Sequence, residues 1–514
     1  MTLDLAEPAP ANPAQGRIGG GPPVGVLDIG SNSVRLVVYE RHCRALTPLY
    51  NEKAACALGR GVAKTGELAP DSVERALTAI RRFALVAELN HAASVHVLAT
   101  SAVREASNCE DFVAAVEQIM GVKPRVLSGR EEAHFAAMGV VSGMPGQAGV
   151  VGDLGGGSLE LAVVGDARDV SGETLALGAI RLQDDSENSP KKAQRIARER
   201  LAEAEALQSL DHKVFSAIGG TWRALAKLHQ MQTKYPLHLV QHYRAEAGEI
   251  AALCSAVIAG EVGPKEIPGF ELLSSNRRDL LPYGCAVMAE VLKAGEFSHV
   301  QFSALGLREG YLFELLPEPE RRLDPLIEAC AELSTLRSRS PEHAADLEAF
   351  TSGLIAALGS AEDTEQRRLR HAAGLLSDIG WRGHPDYRGE QAVDMVAYGS
   401  FIGVDHPGRA FLAQTLAVRY MGLKQQSISQ DVLALCPAEW VERARLLGAC
   451  FRVAYLLSAA RPGVLPQIGW AVRDKTLQLV LPQGLAFLAA ERMVKRLEQL
   501  AGEVSMTAEV VISG

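Results

Sequence analysis

The 514 residues include only eight cysteines, and no two of them form a C-x-x-C pair or any other spacing used by metal sites and small disulfide frameworks. Thiols scattered in this way belong to a reducing compartment. Basic charge is not in excess either. With 52 Lys and Arg against 61 Asp and Glu the net charge is −9, so the broad positive field of a nucleic-acid binder is missing and a polyanion would have to meet a local basic site. There is no run of about 18 uncharged apolar residues and no basic start followed by an apolar core. A cytoplasmic protein with no nucleic-acid or membrane partner is the expectation. The opening "MTLDLAEPAPANPAQGRIGGGPP" is too poor in large side chains to offset its ordering entropy, and residues 1–22 are expected to be a disordered tail.

What the sequence does contain is a repeat. "GVLDIGSNSVRLVVYE" and "VVGDLGGGSLELAVVG" share one grammar: apolar strand, Asp-x-Gly, a turn of small residues, Ser, apolar strand. Asp28 aligns with Asp153, Gly30 with Gly155 and Ser33 with Ser158. A dinucleotide-binding fold needs the glycine turn to open a helix, whereas Val34 to Tyr39 is β-branched and aromatic and continues as a strand. Each stretch therefore reads as a β-hairpin, and no G-x-x-x-x-G-K-[ST] loop is present.

Between and after the hairpins, helical periodicity alternates with short strands, which is α/β order. "SVERALTAIRRFALVAEL" and "CEDFVAAVEQIM" read as helices and "SVHVLAT" and "KPRVLS" as strands. "VFSAIGGTWRALAKLH" and "QFSALGLREGYLFELL" each read as strand, turn, helix. From about residue 316 to 460 the chain is Leu/Ala-rich with few strand signals, and the last stretch reads as strand, helix, strand. The expected domains are residues 23–148, 149–316, a helical 317–460 and a small α/β unit, 461–514, after the tail.

A turn of Gly, Ser and Asn leaves several backbone N–H groups pointing one way, an arrangement that suits phosphate. The aspartate ahead of each turn would repel phosphate unless a divalent cation lies between them, and Mg²⁺ takes carboxylate and phosphate oxygens together. Single Asp-x-Gly hairpins are common, but two matched copies point to a pair of facing turns gripping a phosphoanhydride around a metal. Gly219, Gly220 and Thr221 of "GGTWRAL" precede a helix as a third candidate anion loop, with Trp222 read as packing. Arg277, Arg278 and the run Lys191, Lys192, Arg195, Arg198 and Arg200 are candidates for a polyanion track, the run being equally a charged helix face.

Eight ordered blocks between Val24 and Leu316 resemble the exopolyphosphatase/guanosine-pentaphosphate phosphatase family of the actin/Hsp70/sugar-kinase (ribonuclease-H-like) superfamily. They are "DIGSNS", "LGRGVAKTGEL", "ATSAVREASN", "SGREEAHF", "DLGGGSLEL", "LGAIRL", "AIGGTWRALAKL" and "GLREGYL". The resemblance implies an α/β fold of duplicated actin-like domains, followed by an HD-like helical domain in long members. It implies Glu132 as the general base that activates water, with its neighbour Glu131 a helix-terminus charge. Asp153 and Glu160 would shape the metal and water position, and Asp28, Asp153 and Glu160 would hold Mg²⁺, with a monovalent cation such as K⁺ a further candidate. Phosphate would be held by Ser31, Asn32, Ser33, Arg104, Gly155, Gly156, Gly157, Ser158, Gly220 and Thr221, Arg104 through a charge-assisted grip. Read as residues alone, Arg104 could instead pair with Glu105 or Asp111, and Glu160 could be a cross-strand partner. Leu159 stands where the family usually has Thr, so one hydroxyl is lost.

The implied function is an exopolyphosphatase that releases terminal orthophosphate from inorganic polyphosphate by direct attack of water, since no Cys, Ser-His pair or Asp-x-Asp motif offers a covalent nucleophile. Hydrolysis of the 5′ γ-phosphate of guanosine pentaphosphate, with guanosine penta- or tetraphosphate as partner, a non-catalytic phosphate or alarmone sensor, and a sugar-kinase relative are the other readings. A homodimer is implied by the family. In "HAAGLLSDIGW" the residue before Asp378 is Ser377, so the His-Asp doublet of HD phosphohydrolases is broken, and His343, His371, His384 and His406 are expected to cap or pack rather than bind metal.

Overall fold

A computed structural model describes residues 18–165, 172–208, 213–263, 266, 270–424, 428 and 430–513. Most of the expected tail, residues 1–17, lies outside the described residues; Ile18 to Pro22 form neither helix nor strand. The chain divides into two compact units, residues 20–325 and residues 326–513.

The first unit holds two mixed sheets. In one, β1 (Val24–Ile29), β2 (Ser33–Tyr39), β3 (Pro48–Ala55), β4 (Ser94–Ala99) and β5 (Arg125–Val126) lie in the order β3-β2-β1-β4-β5. In the other, β6 (Gly149–Leu154), β7 (Leu159–Val164), β8 (Gly172–Leu175), β9 (Val214–Ile218), β10 (Tyr243–Glu246) and β11 (His299–Phe302) lie in the order β10-β11-β9-β6-β7-β8. In each sheet a hairpin from the repeat sits beside a parallel strand, β1–β2 beside β4 and β6–β7 beside β9. Strands covered on both faces read as continuous apolar runs, and Val26, Leu27, Ile29, Val150, Val151 and Leu154 are accordingly buried.

The hairpin registers put Asp28 opposite Arg35 and Asp153 opposite Glu160. One position thus carries a cation in the first hairpin and a carboxylate in the second. The helix Gly129–Gly143 begins with a capping box in which Ser128 and Glu131 satisfy each other's backbone N–H groups, a motif that contributes about 1 kcal/mol. This fixes Glu131 at the rim and turns Glu132 inward, 8% exposed. The helix Leu307–Leu315 packs against it through glycine: a Cβ on Gly310 would strike the Phe135 carbonyl oxygen, and one on Gly139 the Gly306 carbonyl.

Among the described residues, the second unit has no strand before residue 469. Its helices run from Pro325–Arg337 to Ala438–Ser458. A three-stranded sheet, β12 (Gly469–Arg473), β13 (Thr476–Pro482) and β14 (Thr507–Ser513), follows with the helix Glu491–Gly502. The sequence pattern anticipates β13, the helix and β14; β12, short and half-exposed, has no comparable apolar alternation. No helix among the described residues is long and apolar enough to cross a membrane.

Candidate active site between two glycine turns

The turns after β1 and β6 touch. A Cβ on Gly156 would lie 3.2 Å from Ser31 Cβ, and one on Gly157 would lie 2.6 Å from Ser101 Oγ and 3.0 Å from Ser31 Oγ, so only glycine permits this approach. Ser31 and Ser101 share a hydrogen bond of 2.9 Å beneath them. Beside the turns opens a cleft of about 1040 Å³, its open mouth included. It is lined by Asp28, Ser31, Asn32, Ser33, Glu132, Asp153, Gly155, Gly156, Glu160, Gly220 and Thr221. Three residues expected in the site stand behind this lining. Arg104 reaches it through Glu132, Gly157 is packed between Ser31 and Ser101, and Ser158 is buried at the start of the returning strand.

Glu132 and Arg104 form an ion pair, Nη1 to Oε2 2.8 Å, and the same nitrogen donates to the Leu127 carbonyl at 2.7 Å. Glu105 is taken by Arg181, so the surface alternative for Arg104 does not hold there. Burial lifts the Glu132 carboxyl to about 7, with Arg104 pulling it down and Asp153 and Asp28 pushing it up. Burial also lifts Asp153 to about 6 and raises Glu160 well above the usual carboxylate range, with Glu132 and Asp153 adding to the Glu160 shift. Glu160 accepts from Thr174 Oγ1 at 3.0 Å, and it is the cross-strand partner of Asp153 while also lining the cleft.

The cleft also carries cations. Arg35, Lys53, Arg223, Arg277 and Arg308 line it, and of these the sequence singled out only Arg277. Burial lowers Lys53 to about 8, with Arg277, Arg35 and Arg223 adding to the shift, and lowers Arg35 to about 10. Arg308 alone of the five has carboxylate partners within 4.0 Å among the described residues: its Nη1 lies 2.8 Å from Asp28 Oδ2 and its Nη2 3.7 Å from Glu309 Oε1. Glu309 in turn accepts from Tyr39 Oη at 2.7 Å and from the Gly306 N–H at 3.0 Å. Arg35 was within reach of sequence reading, since hairpin register sets it opposite Asp28. Lys53 and Arg223 come into the cleft through tertiary packing and carry no local signal.

Four of the five cations of the other basic run are paired where they lie. Lys192 pairs with Glu187, Arg195 with Glu199, Arg198 with Glu290 and Arg200 with Asp185. Trp222 is fully buried with its Nε1 donating to Gly284 O at 2.9 Å, a packing role.

Among the described residues no three His, Cys, Asp or Glu side chains converge to hold an ion unaided. What fits a divalent cation is a set of buried carboxylates that raise one another's pKa values, completed by oxygens from outside the protein, which is how Mg²⁺ is usually bound. Asp28, Asp153 and Glu160, the carboxylates expected to hold it, all line the cleft, Asp28 with one oxygen paired to Arg308.

Residues 37–319 match the model of the Ppx/GppA phosphatase family, and residues 326–511 match that of the exopolyphosphatase C-terminal domain. Exopolyphosphatase 2 of Mycobacterium tuberculosis is 28% identical over 289 residues, 52% of this chain and 90% of the relative. Exopolyphosphatase 1 of Mycobacterium bovis is 28% identical over 329 residues, 61% and 94%. Among solved structures, an exopolyphosphatase-like protein is similar at 26% identity and a TM-score of 0.50, covering 57% of this chain and all of that one. An exopolyphosphatase from Cytophaga hutchinsonii shares the fold at 22% identity and a TM-score of 0.50, covering 57% and 97%. Paired hairpin turns, a buried glutamate beside them and a family match over more than half of its length agree: the chain belongs to the Ppx/GppA phosphatase family, and it is a hydrolase.

Proposed function

We propose that the chain is an exopolyphosphatase that removes terminal orthophosphate from inorganic polyphosphate. The observation that carries the reading is the lining of the cleft, which holds the carboxylates Glu132, Asp153 and Glu160 together with the cations Arg35, Lys53, Arg223 and Arg277. A linear polyphosphate has one end to be cleaved and a long anionic remainder to be held. In this proposal the terminal phosphate lies between the turns at Ser31–Ser33 and Gly155–Ser158, within reach of Arg104. Glu132 takes a proton from water, the resulting oxygen attacks the terminal phosphorus in line, and the anhydride P–O bond breaks. The shortened chain leaves with the electron pair on its oxygen, facing the four cations. Bound Mg²⁺, held by Asp28, Asp153 and Glu160, would supply charge neutralisation of the phosphate oxygens.

Guanosine pentaphosphate ends in the same bond, but no aromatic side chain lines the cleft among the described residues to stack a base. The same proposal takes the two hairpin-bearing sheets as a duplicated actin-like pair, the helical unit as HD-like, and the working protein as a cytoplasmic homodimer.

The test is phosphate release from long-chain polyphosphate and from guanosine pentaphosphate, side by side, for the wild type and Glu132→Gln. The wild type should prefer polyphosphate, and the variant should lose about 10²-fold or more in kcat. Wild-type turnover by the variant on both substrates would end the mechanism.

A further inference from the structure

The first hairpin and the helix Leu307–Leu315 share a polar circuit of which the proposed reaction uses only Asp28. Residues directly opposite one another in an antiparallel pair point to the same side of the sheet, and alternate positions along a strand share that side. The register sets Val24 against Tyr39, Val26 against Val37 and Asp28 against Arg35, so these six share one face. The helix is packed on that face, its Leu307, Tyr311 and Leu312 clustering with Val24, Val26, Val37 and Tyr39. Apolar contact of this kind is enough to seat a helix. It does not call for the ions that accompany it.

Those ions close a circuit. Arg308 Nη1 lies 2.8 Å from Asp28 Oδ2, and its Nη2 lies 3.7 Å from Glu309 Oε1. The same Oε1 accepts from Tyr39 Oη at 2.7 Å, which returns the circuit to the hairpin that holds Asp28. Glu309 Oε2 accepts from the Gly306 N–H at 3.0 Å, an ordinary helix cap. Capping therefore accounts for one oxygen of Glu309 and leaves the other. Burial alone would raise the Glu309 carboxyl, yet Arg308, the Gly306 N–H and Tyr39 hold it below its usual range, so it is ionised. Arg308 Nε has no acceptor among the described residues, and the grip on its head lies at the two terminal nitrogens. Two anions that share one cation hold it between them, and with one removed it commits to the other.

We infer that Glu309, tied by Tyr39, is a positioning residue for phosphate release: it shares Arg308 with Asp28 and so keeps that guanidinium at the wall of the cleft instead of closed onto Asp28. The inference rests on the cleft reading proposed above, in which the turn after Asp28 receives the terminal phosphate.

A double-mutant cycle in steady-state phosphate release from long-chain polyphosphate tests it, with the intact chain as wild type, Glu309→Gln, Arg308→Gln and both together. Because Arg308 stands beside Asp28 at the reacting end, Glu309→Gln should lower kcat about ten-fold and leave KM within about three-fold. In the Arg308→Gln background the same change should alter kcat by less than about two-fold, since the arginine carries its effect. Tyr39→Phe keeps the packed ring and removes only the hydroxyl. It should lower kcat about three-fold when Arg308 is present and leave it unchanged when Arg308 is absent. Melting temperature reports folding, and Tyr39→Phe carries the cycle by itself if Glu309→Gln does not fold. A residue that only caps its helix would give the same loss with and without Arg308. That result, or wild-type kcat in Glu309→Gln and Tyr39→Phe, overturns the inference. A wild type inert on polyphosphate but active on guanosine pentaphosphate would instead end the substrate reading, and the cycle on that second substrate would decide Glu309 by the same two results.

Discussion

Arg104 Nη1 lies 2.8 Å from Glu132 Oε2, so the group read as the base is bound to the cation read as a phosphate grip. The pair sets a pH dependence. Burial raises Glu132 to about 7 even against Arg104, and a base works only when ionised, so kcat/KM should rise as pH increases through about 7. In Arg104→Ala the lowering influence is gone, and the acidic limb should move to higher pH along with a rise in KM. A pH–rate series on both proteins decides it, and a limb that stays in place in the variant argues against Glu132 as the titrating base.

The same burial predicts a trade of stability for activity. An unfolded glutamate titrates near 4.3 and the folded one at about 7, so ionised Glu132 destabilises the fold above pH 7, and that penalty vanishes below about pH 4. Glu132→Gln, which keeps an acceptor for Arg104, should therefore be more stable than the wild type at pH 8 by on the order of 2 kcal/mol, with no difference at pH 4. Denaturant titration at the two pH values reads this directly. Equal stability at pH 8 would mean that Glu132 is not raised.

Lys53 supplies an opposite limb. Burial and the neighbouring cations Arg277, Arg35 and Arg223 lower its pKa to about 8, so its charge is full below that pH and lost above it. Polyphosphate KM should accordingly rise as pH passes 8 and should rise more steeply at low ionic strength, where surface charge is less screened. Lys53→Arg, charged throughout, should flatten the alkaline limb while leaving kcat within about two-fold. An alkaline limb unchanged in Lys53→Arg would assign it to another group.

Which parts of this cleft were legible beforehand follows from how far apart its residues are in the chain. The Asp-x-Gly hairpins were visible because turn chemistry and strand alternation are local, and so was Glu131 as a helix-terminus charge, to which the structure adds the capping box with Ser128. Glu132 has no local mark that separates it from Glu131, and only the family resemblance singled it out. Arg308 sits in a quoted block, yet its partner Asp28 is 280 residues away. Lys53 stands on β3, two strands from β1, and only the folded sheet sets it opposite Arg35 and into the cleft.

Two glycines make a mechanical prediction. Gly310 and Gly139 let the helix Leu307–Leu315, which carries Arg308, lie backbone to backbone against the helix that carries Glu132. Gly310→Ala would push a methyl group into the Phe135 carbonyl, costing roughly 1–3 kcal/mol and spoiling the placement of Arg308 and Glu132 together. Activity should fall more than stability accounts for at a temperature where the variant is folded. Gly248, with open space around its Cβ near the start of the helix Ala247–Ala259, is the control, and Gly248→Ala should be neutral or stabilising by up to about 1 kcal/mol. Similar losses in both variants would show that the close approach is not what matters.

In the helical unit, the aspartate of the broken doublet has another task. Asp378 accepts two hydrogen bonds from the Arg339 side chain, 2.6 and 2.9 Å, and is 5% exposed, while Ser377 Oγ shares a 2.7 Å hydrogen bond with Tyr455 Oη. A carboxylate committed to a bidentate guanidinium has little left for a metal, so its removal should act on folding rather than on metal content. Asp378→Ala leaves Arg339 unpaired in a partly buried place and should cost about 3 kcal/mol, whereas Asp378→Asn, which keeps one acceptor, should cost less. Elemental analysis of the purified wild type and His371→Ala should show no tightly bound transition metal in either. A stoichiometric metal lost on His371→Ala would place an ion in this unit and overturn the ion-pair account of Asp378.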